Sequence, residues 1–151
     1  MQRDRLGKWI IGIMLVLVLV TGVFMVASLS QRRATMSIGD QLVSARIADT
    51  DGSRQKGLSG TTQLADNQAM LFIFPTSSRW GMWMKDMNYS LDMLWLDSGK
   101  KIVHVEQDVS PASYPEVFLP DQDARYVVEL PAGFVARHGV KLEQTVVFSA
   151  S

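Results

Sequence analysis

The run from Trp9 to Leu29 constrains this chain more than any other stretch, because it holds no charge and nothing more polar than Thr21 and Ser28. As a helix it is roughly 31 Å long, the thickness of a bilayer's hydrocarbon core. A cleaved signal peptide is the competing reading, since Val26-Ala27-Ser28 offers small residues near a cleavage point. The apolar part exceeds the ~7–15 residues usual for a signal, so an anchor is the expectation. The chain then divides into a cytoplasmic tail (1–8), a transmembrane anchor (9–29), a polar tether (30–37) and a folded domain (38–151). Arg3, Arg5, Lys8 and the terminal amine outweigh Arg32 and Arg33 across the anchor. The domain is therefore expected on the extracytoplasmic (periplasmic) side of the cell membrane, as a single-pass protein.

Of the 151 residues, 118 follow position 33, enough for one domain with one core. That part carries 10 basic and 14 acidic residues, a net charge of about −4, which argues against a nucleic-acid surface. The absence of cysteine excludes disulfides, thiolate chemistry and Cys-based zinc sites.

Gln41–Ala48 alternates loosely, as a half-exposed strand does, and Asp49-Thr50-Asp51-Gly52 ends it. Ser53 is expected to cap a helical turn that Gly57 and Gly60 stop. The apolar run 69–74, closed by Pro75, reads as a strand covered on both faces. Further strands are expected at Trp80–Met84, Leu91–Leu96, Lys101–Glu106, Ala124–Leu130 and Thr145–Phe148, with a hairpin at Asp97-Ser98-Gly99-Lys100 that places Gly99 in a left-handed conformation. Residues 108–123 form an irregular connection of the kind that serves as a lid or binding loop. Residues 131–139 read as a turn and a short helix. Seven short strands with one or two short helices give an all-β domain, a β-sandwich or a partly open barrel.

The densest chemistry lies in residues 79–97, which hold three of the four tryptophans and four of the nine methionines. In Leu91–Leu96 both faces are apolar except for Asp92, and Glu129 repeats this pattern inside Tyr-Val-Val-Glu-Leu. A carboxylate in a central strand must be paired, hydrogen-bonded or protonated, since an isolated buried charge costs several kcal/mol. Arg54 and Lys85 are the candidate partners. The plainer reading has each acid accepting backbone hydrogen bonds and pinning a loop; the other has them in a binding or catalytic site.

Other constellations are weaker. Gly57-Leu58-Ser59-Gly60-Thr61 lacks the glycine spacing of a nucleophile elbow, and there is no GxGxxG or phosphate loop. His104 and His138 have no ligand spacing, so no metal site and no cofactor are expected; His138 reads as a helix-end residue and His104 as a strand-surface one. Met82 and Met84, two apart on a strand, could bind Cu(I) through their thioethers, or fill core gaps. Trp80, Trp83 and Trp95 could floor a shallow pocket for a sugar or peptide, or pack in the core.

Five stretches resemble one family: Arg54-Gln-Lys-Gly57-Leu58, residues 69–74, Trp83-Met84-Lys85-Asp86, residues 91–97 and Tyr126-Val-Val-Glu-Leu-Pro-Ala-Gly133. Together, and in this order, they are similar to domain of unknown function 192, an uncharacterised protein family of bacteria and archaea. The resemblance implies a compact β-sandwich-like fold, commonly exported or membrane-tethered, with no established reaction. By motif it singles out Arg54, Trp83, Lys85, Asp92 and Glu129 as ligand-binding candidates. Ala69 stands where the family pattern has Gly, and Asp86-Met87 where it has Asn-Thr.

The expectation is a membrane-anchored β-domain that binds a small ligand, a glycan or a protein partner of the envelope in a cleft at those five residues. The alternatives are a hydrolase-like enzyme with Asp92 or Glu129 as general base, and a Cu(I) carrier using Met82 and Met84.

Overall fold

A computed structural model describes residues 13–15 and 32–149. Residues 13–15 are helical; the rest of the expected anchor lies outside the described residues, among which no helix is long and apolar enough to cross a membrane. The chain divides into two units, 1–31 and 32–151, and the second is the folded domain described below.

The domain contains β1 (Arg33–Ile38), β2 (Gln41–Ala48), α1 (Asp51–Lys56), β3 (Gln68–Ser78), β4 (Leu91–Leu96), β5 (Ile102–Val109), a 3-10 turn (Pro111–Ser113), β6 (Ala124–Pro131), α2 (Phe134–His138) and β7 (Val146–Phe148). All seven strands join one sheet in the order β5-β4-β6-β3-β2-β1-β7. Its two ends meet: Lys101 bridges Thr145, Ile102 N–H donates to Gln144 O at 2.9 Å and Val146 N–H to Lys100 O at 2.9 Å. The sheet is thus rolled into a partly open barrel, which removes much of its exposed edge.

Two expectations about strands are corrected. Residues 33–37, expected as tether, belong with Ile38 to β1, paired with β2 through a two-residue turn in which Gly39 takes φ 63°. Met36 and Ile38 are fully buried, and the short alternation Ala34, Met36, Ile38 is the signal that the polar residues between them obscure. Conversely, Trp80–Met84 forms no strand, only a single bridge between Met82 and Phe118. Two local details also differ. Thr50, not Ser53, caps α1, with Ser53 answering from the third helical position as in a capping box. In the 97–100 turn Lys100, not Gly99, has positive φ.

Only β2 and β3 pair in parallel, and a parallel pair requires a crossover. The crossover carries α1 and residues 57–67 across the outer face of the sheet. Strand alternation splits the core accordingly. Leu71, Leu94, Leu96, Val128 and Leu130 point inward, where Phe134 and Val135 of α2 plug the barrel. Met70, Phe72, Met93, Trp95 and Val127 point outward, under Leu58, Met82 and Met84. Each large side chain fully removed from water contributes about 1.5–3 kcal/mol. Two apolar layers on one sheet explain why β4 is buried at all six positions.

Candidate functional site

β6 lies between β4 and β3, so its middle residues have neighbours on both sides. Glu129 pairs with Met93 on β4 and Met70 on β3, and Met70 in turn pairs with Arg46 on β2. Arg46, Met70, Glu129 and Met93 therefore form one row on the outer face, with Arg46 two strand spacings, roughly 10 Å, from the acid. Glu129 is 4 % exposed, and its Oε2 is buried without a hydrogen-bond partner. Burial between thioethers pushes its carboxyl from 4.5 up to about 8, and the positive charge of Arg46 only partly opposes this. At neutral pH Glu129 is a carboxylic acid, a hydrogen-bond donor.

Above this carboxyl lies a small cavity of about 30 Å³, whose lining includes Glu129, Arg54, Leu58, Phe72, Trp83 and Lys85. It adjoins an open groove of about 310 Å³ lined by Gly52, Gln55, Lys56, Ser59, Trp83, Lys85 and Asp86. Trp83 stands 48 % exposed between the two. The groove walls are two connections stitched together: Ser59 Oγ donates to Lys85 O (2.9 Å), Gly60 N–H to Asp86 O (2.9 Å) and Asn88 Nδ2 to Thr61 O (2.8 Å). Asp86 sits at φ 56°, a region that Asn and Asp enter more readily than most residues, so the Asn-to-Asp departure leaves this turn intact.

Four of the five sequence candidates thus converge on one cavity. Arg54 is also committed elsewhere: it donates to Ile73 O at 2.8 Å, pairs with Asp51 and lies over the Phe74 ring at 5.6 Å, stapling α1 to β3. The expected pairing of Glu129 with Arg54 or Lys85 is corrected: among the described residues no cation forms an ion pair with its carboxyl, and the positive charge that acts on it comes from Arg46, in a strand that reads in sequence as half-exposed. Lys56, Gln55, Ser59 and Asp86 also join the groove. Lys56 and Gln55 were visible inside the motif that begins at Arg54, but nothing in their spacing marks them as lining.

Asp92 is not part of this convergence. It pairs with Leu130, one residue out of step with the Met93 and Glu129 pair, so its side chain points inward. There it accepts from the backbone N–H groups of Asp108 (2.8 Å), Gly133 (3.2 Å) and Val135 (2.8 Å). Gly133 caps α2 without a side chain of its own, and Asp92 supplies the missing acceptor from β4. It is fully buried and pins three segments.

Met82 and Met84 are buried in the outer core, 8 % and 1 % exposed. Trp95 is fully buried and donates to Trp80 O at 2.8 Å, and Trp80 stacks on Phe74 at 4.4 Å. His104 lies edge-on to Trp95 and within 3.0 Å of Glu106, more enclosed than a strand-surface residue. His138 packs against Phe134 in the last turn of α2. Among the described residues no group of three His, Cys, Asp or Glu side chains could hold a metal ion.

The fold matches solved structures. A crystal structure of a suggested transcription regulator from Sinorhizobium meliloti superposes with a TM-score of 0.71 at 28 % identity, covering 77 % of this chain and 92 % of that one. A protein of unknown function from Novosphingobium aromaticivorans gives 0.70 at 20 % identity, over 76 % and 83 %. In sequence, UPF0127 proteins of Thermococcus gammatolerans and Thermococcus sibiricus are 32 % and 33 % identical over 91 and 92 residues. These alignments cover 59 % and 60 % of this chain, and the chain spans 56 % of the length of each relative. The family model described as DUF192, Uncharacterized ACR, matches residues 34–148, the whole barrel from β1 to β7, and the chain therefore belongs to that family.

Proposed function

We propose that this chain is a membrane-tethered binding protein. Residues 9–29 anchor it, the barrel works on the extracytoplasmic side, and the groove beside Trp83 receives a small ligand or a glycan or protein segment of the envelope. One observation carries the reading: a buried carboxyl with an unpartnered oxygen lies under a cavity that adjoins a groove walled by an exposed tryptophan and exposed lysines. A buried polar atom left without a partner costs about 1–3 kcal/mol, and a ligand that supplies the partner recovers it. Exposed indole beside charged groups is the usual make-up of a site that holds both the apolar and polar parts of a small molecule.

General-base catalysis fits less well. Glu129 keeps its proton up to about pH 8, and Asp92 already accepts three backbone hydrogen bonds on the opposite face. Cu(I) capture would require Met82 and Met84 to leave the outer core.

The test is a melting-temperature screen of the full-length chain against sugars, sugar phosphates, amino acids, nucleotides and short peptides. A compound that raises the melting temperature of the wild type but not of Trp83→Ala supports the reading. A complete screen in which no shift depends on Trp83 removes it.

A further inference from the structure

The groove makes three demands on what fills it. The cavity above Glu129 holds only about 30 Å³, room for a water-sized group such as a hydroxyl but not for a ring. Trp83, half exposed, offers a flat apolar platform of the kind on which the C–H face of a sugar ring packs. The rim carries Lys56 and Lys85, both exposed and, among the described residues, without an ion-paired carboxylate. Beside them Asp86 and Gln55 present oxygens that can accept from hydroxyls, and Ser59 Oγ, which donates to Lys85 O, keeps its acceptor capacity.

We infer that the groove takes an acidic sugar residue, its ring on Trp83, its carboxylate or phosphate between Lys56 and Lys85, and one hydroxyl in the cavity accepting a hydrogen bond from Glu129. This names the ligand class for the binding reading above and rests on it. A neutral sugar would leave the two ammonium groups unanswered, and a simple anion would leave both the indole and the buried carboxyl unanswered. The groups that face Glu129 are Arg46 from β2, Arg54 from α1 and Lys85 from the 79–90 connection, with Met70 and Met93 on either side. Loss of the Glu129 proton would place a negative charge beneath an anionic ligand, so binding weakens as pH rises past about 8.

The experiment is calorimetric titration of the full-length chain with a glucuronate trisaccharide, glucose 6-phosphate, maltotriose, inorganic phosphate and acetate. One or both acidic sugars should bind at least about tenfold tighter than maltotriose and the simple anions. Their order tells whether the site reads a carboxylate or a phosphate. Trp83→Ala and Lys85→Ala should each weaken that binding about tenfold or more while the protein stays folded, with a cooperative melting curve. Equal binding of maltotriose, equal binding of phosphate or acetate, binding that survives Trp83→Ala, or no binding of either acidic sugar overturns the inference. If the wider screen still gives a Trp83-dependent shift with another compound, only the ligand class falls. If it gives none, the binding reading falls with it.

Discussion

Asp92 and Glu129 occupy the same kind of place in sequence, one acid inside an apolar strand, and neighbouring strands in the sheet, yet the barrel treats them in opposite ways. Asp92 faces the inner core and meets three backbone N–H groups; Glu129 faces the outer core and is left with an oxygen that meets none. A buried carboxyl is tolerated either by supplying it with donors or by keeping its proton. The inner acid takes the first route and holds α2 in place. The outer acid takes the second, which leaves a polar group unsatisfied beneath an opening to solvent.

The comparison breaks most visibly at Asp92. Asp92→Asn removes the charge and one acceptor while three N–H groups remain buried, which should destabilise the domain by about 3 kcal/mol in denaturant unfolding. A cost within 0.5 kcal/mol, about that of an ordinary surface change, would mean that the inner acid is not a pin.

Next in size is the pH dependence of Glu129. Unfolded, the carboxyl loses its proton near 4.5; folded, it holds it to about 8. The folded state binds the extra proton between these values, so this group's contribution is fully present below 4.5 and is lost as pH rises through about 8. Stability should fall by at most about 1.4 kcal/mol per pH unit in that window. Glu129→Gln, which cannot ionise, should remove that slope and be more stable than the wild type at pH 8. Parallel stability curves for the two proteins would contradict this.

How far the site was legible in sequence depends on face and register. Strand alternation placed Asp92 and Glu129 in apolar strands, and six of the seven strands were readable from turns and apolar runs. Whether the two acids share a face depends on the pairing of Met93 with Glu129, a register that no local pattern states. The 80–84 segment looked like a strand because Met82 and Met84 alternate with Trp83. The alternation is real, but those methionines pack onto the outer face from a loop. Arg46 lies in a strand whose alternation reads as half-exposed, and no local pattern states that it shares a row with Met70 and Glu129.

The smallest effects should come at the rim. Lys85→Ala, at an exposed side chain, should change unfolding free energy by no more than about 0.5 kcal/mol, and Trp83→Ala, at a half-exposed one, by about 1 kcal/mol. A much larger loss at Trp83 would make it a structural residue and merge the groove wall with the core.

The protonation state of Glu129 can be observed without any ligand. In the full-length chain labelled with ¹³C at glutamate side-chain carboxyls, the resonance that disappears in Glu129→Gln should titrate near pH 8. A midpoint near the ordinary 4.5 would show an ionised, partnered carboxylate and contradict the distinction between the two acids.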